Sequence, residues 1–579
     1  MAEIPFDVQF FVEKNRNNKF EWLSFLISAM LFIGHGVIFH WIPNILRSKR
    51  DTSSLKHRSY FKFVNAWDFW TGCVAFKLPY RKKTYYCQPS ILLLSAIFLA
   101  INSAFIVVET ADLDYLPRYY IISKRISRVG IGNLLTLMLM TAKNDILGAM
   151  SGLQHDRMIW IHIWLGRYIW TLITIHVIMG LIYWLKMDFL IMIIIPPQIF
   201  GMISYGCLCF LTWASLRFIR KLSYEFFIIQ HKIFSFIMLL LAFFHNTGNR
   251  AMVLISVHLI VFDRILSKVI SFIHKRKSPT KGICSFKKLD DDTISVTIPV
   301  KMMKFSYDKW YSAFLPKIGF WKAGQHIFLN VPKVNFFQLH PFTIASLPDS
   351  KHIKLIIRKQ NGFTKKLMNK IEKMQTEDEE LGTVVKLKCT FHGPYGAHYQ
   401  SLLSFDTSLF FGAGAGAAFV FPVALDLLKT IKERDDAEDY LYRSTEARVH
   451  IIWAVKRHEN TIWMKHLYDE LQEFISNGKL TVQIHYTQEE KEYTSSNSEL
   501  ESPIVMSPDI IKNYGRPNLD SIIQEQTAAL ISDKHTSSYK ALAVCACGPP
   551  EFTDQIKVAC QANRKVKNAP DIYCYTEVF

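Results

Sequence analysis

The chain has 579 residues, 50% of them hydrophobic, and a formal net charge of +19. That length accommodates three or four domains, and so apolar a composition places part of the chain in lipid. Nucleic acid is excluded as a partner, because much of the basic charge flanks apolar runs, as at Arg47, Lys49, Arg50, Arg81, Lys82 and Lys83. The ten cysteines follow no framework spacing, so structural disulfides are not expected, and Cys545 and Cys547 stand too close for paired zinc ligands.

A polar tail, 1–21, precedes the first apolar run. About 20 apolar residues cross a bilayer, and seven segments qualify: 22–43, 91–109, 119–141, 159–185, 189–216, 224–246 and 250–273. The third carries Lys124, Arg125 and Arg128 and is read either as a span or as a re-entrant segment. The fifth should kink at Pro196 and Pro197, which lack amide donors. Segment 44–89 holds ten Lys and Arg, and further cations follow at Arg217, Arg220, Lys275 and Arg276, so these stretches and the C-terminal half face the cytoplasm. Seven crossings then leave the N-terminus outside.

Past residue 280 the texture is that of a soluble protein. Short alternating strands such as DTISVTIPV and HIFLNVP predict an antiparallel barrel over 280–402. Over 403–579 the order becomes strand, glycine-rich turn, helix and strand, which predicts an open α/β nucleotide fold. A Ser- and Glu-rich stretch, 487–512, reads as a flexible insertion within it.

Within the membrane domain, 22–275, His162 and His176 lie 14 residues apart in the fourth span, and His231 and His245 repeat that interval in the sixth. Fourteen residues is close to four helical turns, roughly 21 Å of rise, so each pair shares a helix face. One span intervenes and the two helices run parallel. His162 then comes level with His231, and His176 with His245, giving two stacked bis-imidazole sites. Intramembrane histidine is read as functional, either as an axial haem ligand or as a pore or proton-relay group of a non-enzymatic transporter.

The segments SGLQHDRMIWIHIWLGR and LSYEFFIIQHKIF resemble haem-bearing segments of the ferric reductase and NADPH oxidase superfamily, particularly its fungal cell-surface metalloreductases, and SRVGIGN resembles the family's Arg-x-Gly element on the preceding helix. That resemblance implies two b-type haems on His162, His176, His231 and His245. It also sets Arg128 and Arg167 either against propionates or snorkelling to headgroups. HPFTIAS resembles the family's flavin signature and implies a ferredoxin-reductase-type FAD barrel, with His340, Pro341, Phe342, Thr343 and Ser346 at the cofactor. NGFTKKL resembles a second flavin element through Gly362 and Thr364, and HGPYG departs from the family with His392 in place of an acid.

FGAGAGAAFVFPV carries Gly412, Gly414 and Gly416, which let a backbone approach pyrophosphate, although Ala417 and Ala418 replace the family's Thr-Pro. CGPPEF and YGRPNLDSII resemble pieces of its NADPH domain and add Cys547, Gly548, Pro549 and Arg516. Arg516 suits the extra phosphate of NADPH, a task Lys456 or Arg457 would share, and the terminal Phe579 would cover the flavin ring.

The resemblance implies an integral multi-pass NADPH-dependent oxidoreductase with no catalytic residues apart from its cofactor ligands. It would sit in the plasma membrane or the endoplasmic reticulum, with cytosolic cofactor domains and membrane lipid around its spans. The acceptor would be a metal chelate, ferric or cupric, in iron and copper homeostasis, or oxygen in a superoxide-producing oxidase. The outer connections ADLDYLPR, Met187–Asp188 and NTGNR are short, which should leave the outer site open and favours a bulky chelate. Asp112, Asp114 and Asp188 would attract cations there, and Arg125 and Arg128 anionic chelates.

Overall fold

Long apolar runs can satisfy their backbone in lipid only as helices, and the first part of the chain is almost entirely helical. The computed structural model describes residues 6–48, 58–77, 84–87, 89–142, 146–153, 155–277, 280, 282–300, 321–335, 338–377, 384–436, 447–488, 510–532 and 540–578. They divide into two units, residues 1–37 with 92–266, and residues 38–91 with 267–579.

The first unit is built from α1 (Phe6–Gly36), α2 (Pro89–Val107, from Leu92), α3 (Arg118–Leu139), α4 (His155–Lys186), α5 (Pro196–Ala214), α6 (Tyr224–His245) and α7 (Arg250–Lys277, as far as Leu266; the rest, from Ser267, belongs to the second unit). Its core joins Leu134 and Leu137 of α3, Leu165 and Ile169 of α4, Cys207 and Leu211 of α5, Met238 and Leu239 of α6, and Val253 of α7. Outward faces carry exposed Trp164, Ile178, Leu185, Phe236, Phe244 and Phe262, as lipid contact requires. The stretches 6–46, 157–186 and 226–245 are long and apolar enough to cross a membrane. A fourth such stretch, 414–433, is instead 72% buried inside the second unit as a core helix.

Three local expectations are revised. The first helix starts at Phe6, not near residue 22, so most of the expected tail is helical. The segment 119–141 is one unbroken helix as far as Leu139, and Arg125 and Arg128 are buried along it. Pro196 and Pro197 open α5 at its first turn, where a missing amide costs nothing, so they start a helix instead of kinking one.

In the second unit β3 (Ile283–Asp290), β4 (Thr293–Pro299), β5 (His326–Asn330), β6 (His340–Thr343), β7 (His352–Arg358), β8 (Val384–Lys388) and β9 (Thr390–Tyr395) form two antiparallel sheets, ordered β7-β4-β3-β8 and β6-β5-β9. Alternating Phe286, Ile294, Val296, Ile298, Ile327 and Leu329 fill the space between them, against Leu367 and Ile371 of α8 (Phe363–Glu377).

A parallel six-stranded sheet follows, ordered β13-β12-β11-β10-β14-β15. Its strands are β10 (Thr407–Ala413), β11 (Arg448–Val455), β12 (Leu480–Tyr486), β13 (Ile511–Tyr514), β14 (Ala541–Gly548) and β15 (Asp571–Val578). The chain builds outward from β10 to β13, then returns to lay β14 on the other side of β10. The strand order therefore reverses between β10 and β14, where open α/β sheets bind their ligands. Most of the expected insertion 487–512 lies outside the described residues, and its last two positions open β13.

A segment ahead of α2 also belongs to this unit: the helix Arg58–Thr71 and the hairpin β1 (Val74–Lys77) and β2 (Thr84–Cys87). Arg564 pairs with Asp68 at 3.2 Å, and Gln561 Nε2 donates to the Phe69 carbonyl at 2.7 Å.

Candidate functional site

Of the two expected histidine pairs, one meets ring to ring and the other shares a cavity wall. The rings of His162 on α4 and His231 on α6 have centroids 6.4 Å apart with 64° between planes. Two imidazoles bound at roughly 2 Å to opposite sides of one metal have ring centres about 6 Å apart. The gap therefore suits one shared ion. His176 and His245, a further 14 residues along each helix, both line a cavity of about 540 Å³, a volume in the range of cofactor sites.

Second contacts orient these rings. His162 Nδ1 meets the Leu137 carbonyl at 3.3 Å, His176 Nδ1 the Ser123 carbonyl at 2.9 Å, and His245 Nδ1 the Pro197 carbonyl at 2.7 Å. A carbonyl can only accept, so each Nδ1 carries the proton and Nε2 keeps its lone pair, as in metal-ligating histidines. His231 Nδ1 is buried with no partner among the described residues, an uncompensated cost unless that ring meets a ligand. Glycine supplies room: Gly180, one turn past His176, has nothing within 4 Å of where a Cβ would stand, and it lines the cavity. Gly201 is bare because a Cβ there would sit 2.5 Å from the His245 ring.

Arg128 stands in the wall of the same cavity. Its Nη1 is paired with Glu21 of α1 at 2.8 Å and its Nη2 reaches Asn246 Oδ1 at 3.4 Å. Arg167 instead lies over the Trp164 ring, 4.9 Å from its centroid. The first helix also supplies Phe10, Glu13, Lys14 and Asn17 to the cavity wall, so the cavity is lined from a helix that the short connections did not suggest. Asp112 receives both Arg16 guanidinium nitrogens at 2.8 Å, and Asp114 Oδ1 accepts from Gln9 at 2.7 Å, so these two carboxylates are already engaged by α1.

In the barrel the two flavin-like elements meet. The His340 imidazole stacks on Phe363, 4.0 Å between centroids, which brings HPFT beside NGFT. Gly362, at φ +78°, turns the chain into α8, and Thr364 Oγ1 accepts from the Gln360 amide at 2.8 Å. Pro341 is exposed, and Phe342 and Thr343 are half-buried on β6. Ser346 is spoken for: its hydroxyl accepts from the Lys354 amide at 3.1 Å, within the barrel frame. His392 Nδ1 lies 2.9 Å from the Ser267 carbonyl.

At the sheet reversal, Gly412 pairs in register with Cys547, and a Cβ on Gly416 would lie 2.1 Å from the Cys547 carbonyl oxygen. The glycine turn and CGPPEF are thus one structure, closed around bare backbone. Gly414, at φ +54°, holds the left-handed turn leading to α9 (Ala417–Asp436). Ala417 and Ala418 are buried in the core of this domain. Burial pushes the Cys547 thiol well above its usual range, so Cys547 contributes backbone and not a thiolate. Gly548 packs against Phe552 ahead of the helix Pro550–Asn563, with Pro549 as its N-cap.

Arg516 is exposed just past β13, while Lys456 and Arg457 follow β11, all on the carboxyl side of the sheet. Sequence reading missed Arg358, at the end of β7. Its guanidinium lies 3.8 Å from the position of a Cβ on Gly414, beside the glycine turn. Only the cross-domain contact reveals it. Phe579 lies outside the described residues.

Three family models match in series: the ferric reductase like transmembrane component at residues 126–242, an FAD-binding domain at 284–399 and the ferric reductase NAD binding domain at 405–561. Ferric reductase transmembrane component 1 of Schizosaccharomyces pombe is 21% identical, covering 79% of this chain and 79% of its own. Ferric/cupric reductase transmembrane component 2 of the same organism is 23% identical over 79% of this chain and 80% of its own. Respiratory burst oxidase homolog protein B of Solanum tuberosum is 30% identical over 28% of this chain and 21% of its own. Flavin and nicotinamide domains joined to a membrane domain make an oxidoreductase, which sets the transporter reading aside. The chain is an integral membrane oxidoreductase that belongs to the ferric reductase family.

Proposed function

We propose that this chain carries electrons from NADPH, by way of FAD and two b-type haems, to ferric or cupric chelates across a membrane. The observation behind this reading is the 6.4 Å approach of His162 to His231, with His176 and His245 one tier along in the lining of a single cavity. When bound, the nicotinamide supplies a hydride, the flavin separates it into single electrons, and the haems relay them.

The protein's own part is to hold and orient. His162, His176 and His245 present Nε2 lone pairs because carbonyls fix their Nδ1 protons, and His231, whose Nδ1 meets no partner among the described residues, faces His162 as the fourth imidazole. Gly180 leaves space beside the outer pair. His340, Phe342, Thr343, Gly362 and Thr364 form the flavin patch, and Gly412, Gly414, Gly416 and the Cys547–Pro549 backbone receive the dinucleotide's phosphates. Arg516 selects the 2′-phosphate of NADPH through a guanidinium fork. The haem ligands fall within 22–275, the flavin patch within 280–402 and the dinucleotide residues within 403–579, with the plasma membrane as the favoured site and a role in iron and copper homeostasis.

The test is purified full-length protein given NADPH under anaerobic conditions, with ferric citrate or cupric ion as acceptor and haem measured as pyridine haemochrome. Two haems per chain and sustained oxygen-free turnover are expected. Turnover only in air, with superoxide accounting for the flux, would replace this reading with the oxidase that the Solanum tuberosum relative's name suggests.

A further inference from the structure

Glu21 belongs to none of the motifs that identify the chain, yet it sits beside the outer histidine pair's cavity wall. Its side chain is 3% exposed, and its Oε2 receives Arg128 Nη1 at 2.8 Å. The other carboxylate oxygen, Oε1, is buried with no partner among the described residues. What brings α1 this close is Gly132 of α3, where a Cβ would stand 2.1 Å from the Glu21 carbonyl oxygen. Arg128 is held from two other directions. Asn246 Oδ1 accepts from its Nη2 at 3.4 Å, and Gly248 is bare because a Cβ there would fall 1.7 Å from the same nitrogen.

The guanidinium therefore has one place to be, in the wall of the cavity that His176 and His245 also line. Its charge is matched by a carboxylate from a different helix. Away from water the field of a charge is weakly screened, so whether this pair is balanced is felt by any redox group the two histidines hold. A negative charge nearby opposes electron gain, and a positive one favours it.

We propose that Glu21 is the counter-ion that sets the reduction potential of the group held by His176 and His245. This rests on the haem reading above. Glu21 touches neither histidine; it acts through Arg128 and is a positioning residue. Without it, Arg128 stands as an uncompensated buried cation, and the reduced form gains. Glu13, about two turns earlier on α1, has its own partner in Lys124 at 3.2 Å.

The experiment is a potentiometric titration of the purified full-length protein, followed by haem absorbance, in which two one-electron waves are resolved. Glu21→Gln should raise one wave so that the reduced-to-oxidised ratio at fixed potential grows about tenfold, or ~59 mV for one electron, with the other wave in place. Arg128→Gln should move the same wave in the opposite sense, which keeps the test open if Glu21→Gln does not fold. The double variant, Glu21→Gln with Arg128→Gln, should return that wave to within about threefold of the original ratio. Full haem content with an unmoved wave in either single variant overturns the proposal, as does an equal shift of both waves. Absence of haem from the unmodified protein would instead sink the haem reading on which it rests.

Discussion

The His340 imidazole lies flat on the Phe363 ring, with 16° between their planes. Phe363 is anchored in the barrel core, so it fixes the half-buried His340 ring without the help of any ligand. His340→Ala should therefore loosen FAD about tenfold, or about 1.4 kcal/mol, and leave haem content unchanged. Flavin fluorescence after gel filtration measures this, and unaltered FAD occupancy would remove His340 from the flavin site.

On the haem reading proposed above, His176 and His245 would together hold one of two haems, so His176→Ala or His245→Ala should halve the haem-to-protein ratio. Gly180→Leu should do the same while leaving both histidines intact, because its side chain would occupy the free space one turn beyond His176. Pyridine haemochrome on folded protein reads both. A ratio unchanged in all three variants would dissolve the outer pair.

Arg516→Ala should raise KM for NADPH about tenfold and hardly change that for NADH, since only NADPH has the phosphate to lose. Gly416→Ala should weaken both nucleotides alike, because the clash is with the backbone carbonyl of Cys547 and no rotamer relieves it. Steady-state kinetics with a soluble dye acceptor separates the two patterns. Equal effects of Arg516→Ala on both nucleotides would exclude its phosphate role.

Asp426 of α9 is packed into the nucleotide domain, and burial pushes its carboxyl from 3.8 up to about 6 against the pull of Lys322. The folded state then holds a proton that the unfolded chain has lost. The resulting contribution is complete below pH 4 and disappears as pH rises through 6. Asp426→Asn should consequently stabilise the second unit by about 1–3 kcal/mol at pH 8, with the gain shrinking toward pH 5. Thermal release of flavin at the two pH values tests this, and a gain independent of pH would mean that Asp426 ionises normally.

Two kinds of information in this chain are local enough to read from sequence. The interval between His162 and His176, repeated at His231 and His245, needs only helical geometry, and Gly412, Gly414 and Gly416 need only the rule that pyrophosphate approaches bare backbone. The first helix is different. Glu13, Lys14, Arg16, Asn17, Lys19 and Glu21 make residues 6–21 look like a polar tail, because their partners Lys124, Asp112, Glu109 and Arg128 lie about 100 positions away. Pro196 and Pro197 misled for a related reason. A proline pair reads the same whether it interrupts a helix or begins one, and only the short turn Leu190–Ile193 ahead of it settles which.

The chain enters its second unit twice, first at residues 38–91 and again from 267 onward. The catalytic half is therefore not a contiguous stretch of gene. A fragment expressed from residue 280 to the end would lack Asp68, the partner of Arg564, and Phe69, whose ring lies 5.3 Å from Lys565 Nζ. Supplying residues 58–87 as a separate peptide should rebind and restore that face, so the cofactor-domain unit is a two-piece body whose pieces are separated in sequence by residues 92–266.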